Sequence, residues 1–165
     1  MKRIGFGGWT CIVLALLIGL AIWWAPQAKE VTLKRQETMS SREVALLCTT
    51  DLATQYHIHP VLKIIINGEQ KTIPTDLGIQ PSCMTSIHTH SGDGIIHVES
   101  PVEKDFTLGD FFAVWQKDFS KERILDAIVD TSSEIVVTVN GELVDTYENT
   151  ILEDKYSIII SYQSK

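Results

Sequence analysis

The sequence predicts an α+β protein: an N-terminal transmembrane helix, then a mainly antiparallel sheet domain with one main amphipathic helix and a β-grasp-like C-terminal part. Three observations carry this. Residues 4–25 form an apolar run without a charge, ending near Trp23-Trp24. Two Asn-Gly pairs, Asn67-Gly68 and Asn140-Gly141, each follow a β-branched run. Between them, Thr107 opens a stretch with aromatic residues at helical spacing.

At 1.5 Å per residue, the run over 4–25 is long enough to cross the hydrocarbon of a bilayer, about 30 Å thick. A cleaved signal peptide is the alternative, but the site after Ala28 has Pro26 where a small residue is wanted, and the tryptophan pair suits a membrane interface. An uncleaved anchor is the favoured reading. Lys2 and Arg3 keep the N-terminal side in the cytoplasm, which puts the remainder outside it, although Lys29, Lys34 and Arg35 weaken that asymmetry. The chain therefore divides into an anchor over 1–25 that meets the lipid bilayer through 4–25, a charged linker or partly helical stalk over 26–42, and an extracytoplasmic α+β domain over 43–165.

Within the domain, Val61–Ile66 meets Asn67-Gly68 and returns toward Ile73, the pattern of a two-residue β-hairpin. A second hairpin is expected from Thr85–His90 and Ile95–Ser100 around Ser91-Gly92-Asp93-Gly94. Thr107-Leu108-Gly109-Asp110 reads as a capping box with Asp in place of Glu, opening a helix that carries Phe111, Phe112, Val114, Trp115 and Phe119. This aromatic face is expected in the core. A short helix over Lys121–Ile128, capped by Ser120, should follow. Ile135–Val139, Leu143–Tyr147 and Ser157–Tyr162 complete the strands.

The chain has 165 residues, 44% of them hydrophobic, and a net charge of −7. That is enough for one globular core. The acidic balance, without a basic stripe interleaved with aromatics, argues against a nucleic-acid partner. A Gly-x-Ser-x-Gly elbow, a Walker loop, Cys-x-x-Cys and a Rossmann glycine pattern are all missing from the sequence.

The chemistry lies in the histidines. All 5 fall between positions 57 and 97, as His57-x-His59, His88-x-His90 and His97-x-Glu99. On a strand, residues two apart share a face, so each pair can aim two ligand atoms at one point. If the second hairpin has a two- or four-residue loop, His88 stands opposite His97, and His90 and Glu99 share that face. Neutral imidazoles bind zinc and copper, and a His/His/Glu set also suits Fe(II) or Mn(II). The candidate metal residues are His57, His59, His88, His90, His97 and Glu99, with Glu99 either a ligand or a hydrogen-bond partner. A cupin-like site is disfavoured, because the glutamate that should follow His-x-His after three or four residues is replaced by Gly94 and Ile95. Asp51, Asp76 and Asp93 are assigned to loops and turns.

Cys11 lies in the apolar run. Cys48 and Cys83 can form a disulfide that closes a loop of about 35 residues, worth about 3–4 kcal/mol. The rival reading makes Cys83 or Met84 a soft copper ligand.

Taken together, Tyr56-His57-Ile58-His59-Pro60, Cys83, Ile87-His88-Thr89-His90, Gly94-Ile95-Ile96-His97-Val98-Glu99-Ser100-Pro101 and Phe106-Thr107-Leu108-Gly109-Asp110-Phe111-Phe112 with Trp115 resemble a family of uncharacterised membrane-anchored bacterial and archaeal proteins. The resemblance implies a shared topology and a shared histidine cluster, and implies no reaction. The closing Val139-Asn140-Gly141 and Ile158-Ile159-Ile160 strands also look like β-grasp modules of extracellular binding proteins.

The functional expectation is a membrane-tethered extracytoplasmic module that binds copper or zinc. Its alternatives are an interaction or assembly domain with structural histidines, serving an unidentified envelope partner, and a metalloenzyme with an open coordination position.

Overall fold

Two Asn-Gly turns organise the main sheet. In this computed structural model, which describes residues 30–50 and 55–165 together with Ile18, Asn67 and Gly68 both have positive φ (53° and 82°), as do Asn140 and Gly141 (54° and 88°). Asparagine tolerates this conformation and glycine adopts it freely, so each pair forms the tight turn that matches strand twist. The first turn joins β2 (Val61–Ile66) to β3 (Glu69–Lys71), and the second joins β11 (Ser133–Val139) to β12 (Glu142–Val144).

The closing strand β13 (Ser157–Ser164) enters between the two hairpins, giving the order β12-β11-β13-β2-β3. It runs antiparallel to β11 and parallel to β2, pairing Ile158 with Leu62 and Ile160 with Ile64. The fold is mixed α+β with mostly antiparallel sheets and few helices. The parallel β2–β13 pair at its centre joins segments distant in sequence, and the five-stranded sheet takes in the first hairpin as well as the C-terminal strands. Alternation along β2 and β13 buries Leu62, Ile64, Ile158 and Ile160.

Among the described residues, two α-helices belong to this unit, which spans 39–165. Ser40 and Glu43 form a capping box at the start of α1 (Ser41–Leu46). Thr107 and Asp110 do the same for α2 (Leu108–Trp115), with the Asp110 side chain accepting from the Thr107 backbone N–H. The shorter aspartate thus serves the reciprocal role of the usual glutamate. Phe111 and Phe112 are buried, their rings 5.6 Å apart, and Arg42 from α1 donates to the buried Asp110 at 2.6 Å.

Three expectations are corrected. Phe119 is not on the helix: Gln116 takes a left-handed conformation (φ 57°) and ends α2, leaving Phe119 on β8 (Phe119–Ser120). The expected helix over Lys121–Ile128 is instead a small meander of β8, β9 (Arg123–Ile124) and β10 (Ala127–Ile128). Ser120 Oγ accepts from the N–H of Glu122, a local turn rather than a helix cap, and Leu125 has φ 52°. Burial of Ile124 opposite Phe119 overrides the helical propensity of the segment. The return strand after Asn140-Gly141 ends at Val144, and Tyr147–Asn149 forms a 3-10 turn.

The other unit, 1–38, is described only in part: residues 30–38 are helical, with Lys34 paired to Glu30 at 2.8 Å. Among the described residues, no helix is long and apolar enough to cross a membrane. The anchor expected over 4–25, apart from Ile18, and Asp51 lie outside the described residues.

Candidate metal centre

A second, three-stranded sheet, formed in order by β1 (Tyr56–Ile58), β7 (His97–Ser100) and β6 (Ile87–His88), carries His57, His97 and His88, with His59 and His90 just beyond the ends of β1 and β6. β1 (Tyr56–Ile58) passes through Pro60 directly into β2, so one continuous segment links this sheet to the main one. The tight hairpin expected over Thr85–Ser100 is not formed: β6 and β7 are separated by residues 89–96 rather than by a two- or four-residue loop, because Gly94, Ile95 and Ile96 pair with the segment 60–62, yet His88 still stands directly opposite His97.

Strand alternation separates the two faces. Ile58, Val98 and Ile87 form a cross-strand row on one face, all buried. Each contributes about 1.5–3 kcal/mol by leaving water. The intervening residues, His57, His59, His97, Glu99 and His88, therefore face the other way. Thr89, between His88 and His90, is buried and bonded away from them: its hydroxyl donates to the Pro74 carbonyl at 2.9 Å and accepts from the Leu77 N–H at 3.1 Å.

The unforeseen element is β1. It pairs with the free side of β7, which places His57 opposite Glu99 and makes β7 the centre of the site. His97 consequently has neighbours on both sides. Its ring centroid lies 4.7 Å from His59, 4.6 Å from His90 and 5.5 Å from His88, the first two contacts edge-on and the third stacked. His57 lies 4.5 Å from His59, and His88 lies 4.9 Å from His90.

These rings resolve into two triads with His97 in common. The ligand nitrogens of His57, His59 and His97 all lie within 4.8 Å of one another, and so do those of His88, His90 and His97. Glu99 stands apart from both sets. Its Oε1 is 3.2 Å from His57 Nε2, so it acts as that histidine's partner.

The triads differ in one respect that matters chemically. His88 is fully buried; its Nδ1–H donates to the Thr85 carbonyl at 3.1 Å, and its Nε2 has no hydrogen-bond partner. That donation fixes the tautomer and leaves the Nε2 lone pair free, the arrangement by which metal-bound histidines are oriented. An unsatisfied buried polar atom costs about 1–3 kcal/mol, which a bound cation would offset. Burial also holds the His88 imidazole below its ordinary pKa, and His97 is lowered by burial and then by the neighbouring imidazoles of His59, His90 and His88. Both are thereby kept as neutral ligands.

Supporting contacts come from residues that the sequence did not single out. His59 N–H donates to Asp154 at 3.0 Å and its carbonyl accepts from Lys155 N–H at 3.3 Å, so the turn before β13 clamps its backbone. Gly94, at φ 90°, brings its carbonyl 2.8 Å from Leu62 N–H, and Ile96 N–H donates to Pro60 at 2.9 Å. These bonds dock the β6–β7 connection onto β2. Asp154 lies 95 residues from His59 in the chain, and no local pattern announces the contact.

Cys48 and Cys83 form a disulfide with Cα atoms 5.4 Å apart. Cys83 therefore offers no thiolate. Asp93 accepts from Ile95 N–H at 3.0 Å and Asp76 has φ 58° in the loop after Pro74, both in the turn roles assigned to them.

No protein-family model, curated protein or solved structure matches this chain.

Proposed function

We propose that this protein is a membrane-tethered, extracytoplasmic module that binds zinc or copper at His88, His90 and His97. The observation that carries the reading is the buried, unpartnered Nε2 of His88, directed by its Thr85 bond and set beside two further imidazoles. Three imidazole nitrogens with no thiolate suit a borderline divalent ion such as Zn²⁺ or Cu²⁺. A fourth position left to solvent would also permit metal-assisted hydrolysis, the lesser reading.

Placement outside the cytoplasm draws support from the disulfide, which persists in oxidising compartments, and from the apolar run over 4–25 as the bilayer contact. A β-grasp-like core is inferred from a closing strand parallel to the first hairpin strand, with a helix between the hairpins. The motif likeness to membrane-anchored proteins agrees with this arrangement.

The competing reading, an interaction or assembly domain with structural histidines, is served by the exposed Leu143 on the edge strand β12, 75% accessible. It leaves His88 Nε2 without a partner. Competition titration of the full-length chain with zinc and copper decides between them. Micromolar or tighter binding that is weakened on substituting His88 supports the metal module, and failure of both ions to bind at that level overturns it.

A further inference from the structure

In the triad of His57, His59 and His97, neither His57 nor His59 holds a buried nitrogen without a partner. His57 already has Glu99 as its partner, and His57 is exposed while His59 is half-buried. Without an ion, no buried side-chain nitrogen on this side lacks a partner, whereas His88 Nε2 does on the other. An ion therefore gains more by resting with His88 and His90 than with His57 and His59. Both sets nonetheless require His97, whose ring stands between His59 and His90 at nearly equal distances.

We infer, on the basis of the metal-binding reading, that the two triads are alternative positions for a single divalent cation: an outer one at His57, His59 and His97 that captures it, and an inner one at His88, His90 and His97 that retains it. In the transfer the bonds to His57 and His59 break as those to His88 and His90 form, with His97 a ligand in both positions. The step is a ligand exchange at a metal of unchanged oxidation state, in which imidazole replaces imidazole and the total charge of ion and ligands is the same before and after. Glu99 gives the outer position a carboxylate at its margin, which favours arrival of a cation and orients His57. The layout suits a chain that receives an ion from solvent or a donor and holds it.

The test uses zinc and the full-length chain. Bound zinc is counted at saturation, and loading is followed by stopped-flow transfer from a chromophoric chelator. Wild-type protein should hold a single equivalent. The double variant His57→Ala, His59→Ala should keep that equivalent at near wild-type affinity, yet load about tenfold more slowly, the scale on which an orienting contact affects a metal site. Its release should slow by the same factor, since affinity is unchanged. His88→Ala should still load quickly but surrender zinc to a chelator much faster, and His88→Gln, which conserves polarity and much of the volume, guards against a folding defect in the alanine variant. Two equivalents in the wild type, or a double variant that loads at the wild-type rate, would overturn the capture-and-retain arrangement while leaving metal binding intact. A double variant that loses affinity as well as rate would mean that the histidines act as one site. A wild-type chain that binds no zinc or copper would overturn both this inference and the reading on which it rests.

Discussion

His88 and His97 face each other across β6 and β7 with their rings stacked 12° from parallel, one fully buried and one half-buried. The pair joins a nitrogen that lacks a partner to the imidazole that both triads share. Replacing His88 by Gln should therefore lower zinc or copper affinity by at least about 100-fold, the upper end of what even second-sphere changes cost. Competition titration reads the loss, and circular dichroism should show the strands retained.

Acid should destabilise the metal-free fold. The ordinary histidine value is 6.5, and the folded-state values of His88 and His97 lie below it. The unfolded chain therefore binds more protons than the native one as pH falls through about 6.5, and linkage lowers stability in that direction. The loss continues until the depressed native values are passed. Denaturant midpoints of the apo protein should be level between pH 8 and 7 and drop between pH 6.5 and 5. A midpoint that rises over the latter interval would contradict the neutral, buried imidazole.

Asp154 holds the backbone N–H of His59 and sits outside both triads. Asp154→Ala should slow zinc loading in the same sense as loss of the outer histidines, though less. Asp154→Asn keeps an accepting oxygen and should recover most of the rate. Equal rates in all three proteins would remove Asp154 from the site.

A side chain at Gly94 has no room, because its Cβ would lie against the Leu62 carbonyl oxygen, and φ is 90°. Gly94→Ala should cost more than the roughly 1–2 kcal/mol of a left-handed residue alone. It should also break the bond to Leu62 that docks the histidine sheet. Chemical denaturation measures the first effect and metal affinity the second, and both should fall together.

Serine at both Cys48 and Cys83 should lower stability by about 3–4 kcal/mol through the longer open chain. Zinc affinity should change little, because neither sulfur belongs to a triad. A large loss of affinity would revive a sulfur ligand.

Much of this protein is written in its local chemistry. Asn67-Gly68 and Asn140-Gly141 dictate their turns, Thr107 and Asp110 their helix start, and the period-two placement of histidine and isoleucine the two faces of the small sheet. His88 stands against His97 as the alternation of the two strands anticipates, but no tight turn joins them: Thr89 bonds to Leu77, and Gly94 and Ile96 bond to Leu62 and Pro60, so the rest of the fold shares in setting this register. The residues over 119–128 misled because a helical pattern yielded to burial of Ile124 against Phe119, which depends on the rest of the core.

What the sequence by itself determined is the inventory of imidazoles, their strand-borne spacing and the cysteine pair. Only the tertiary structure decided that β1 joins the far side of β7, that β13 lies parallel to β2, and that Asp154 reaches His59. Those contacts join segments tens of residues apart, and their choice rests on which apolar faces can be buried together. That choice turned a cluster of five histidines into two triads hinged on His97.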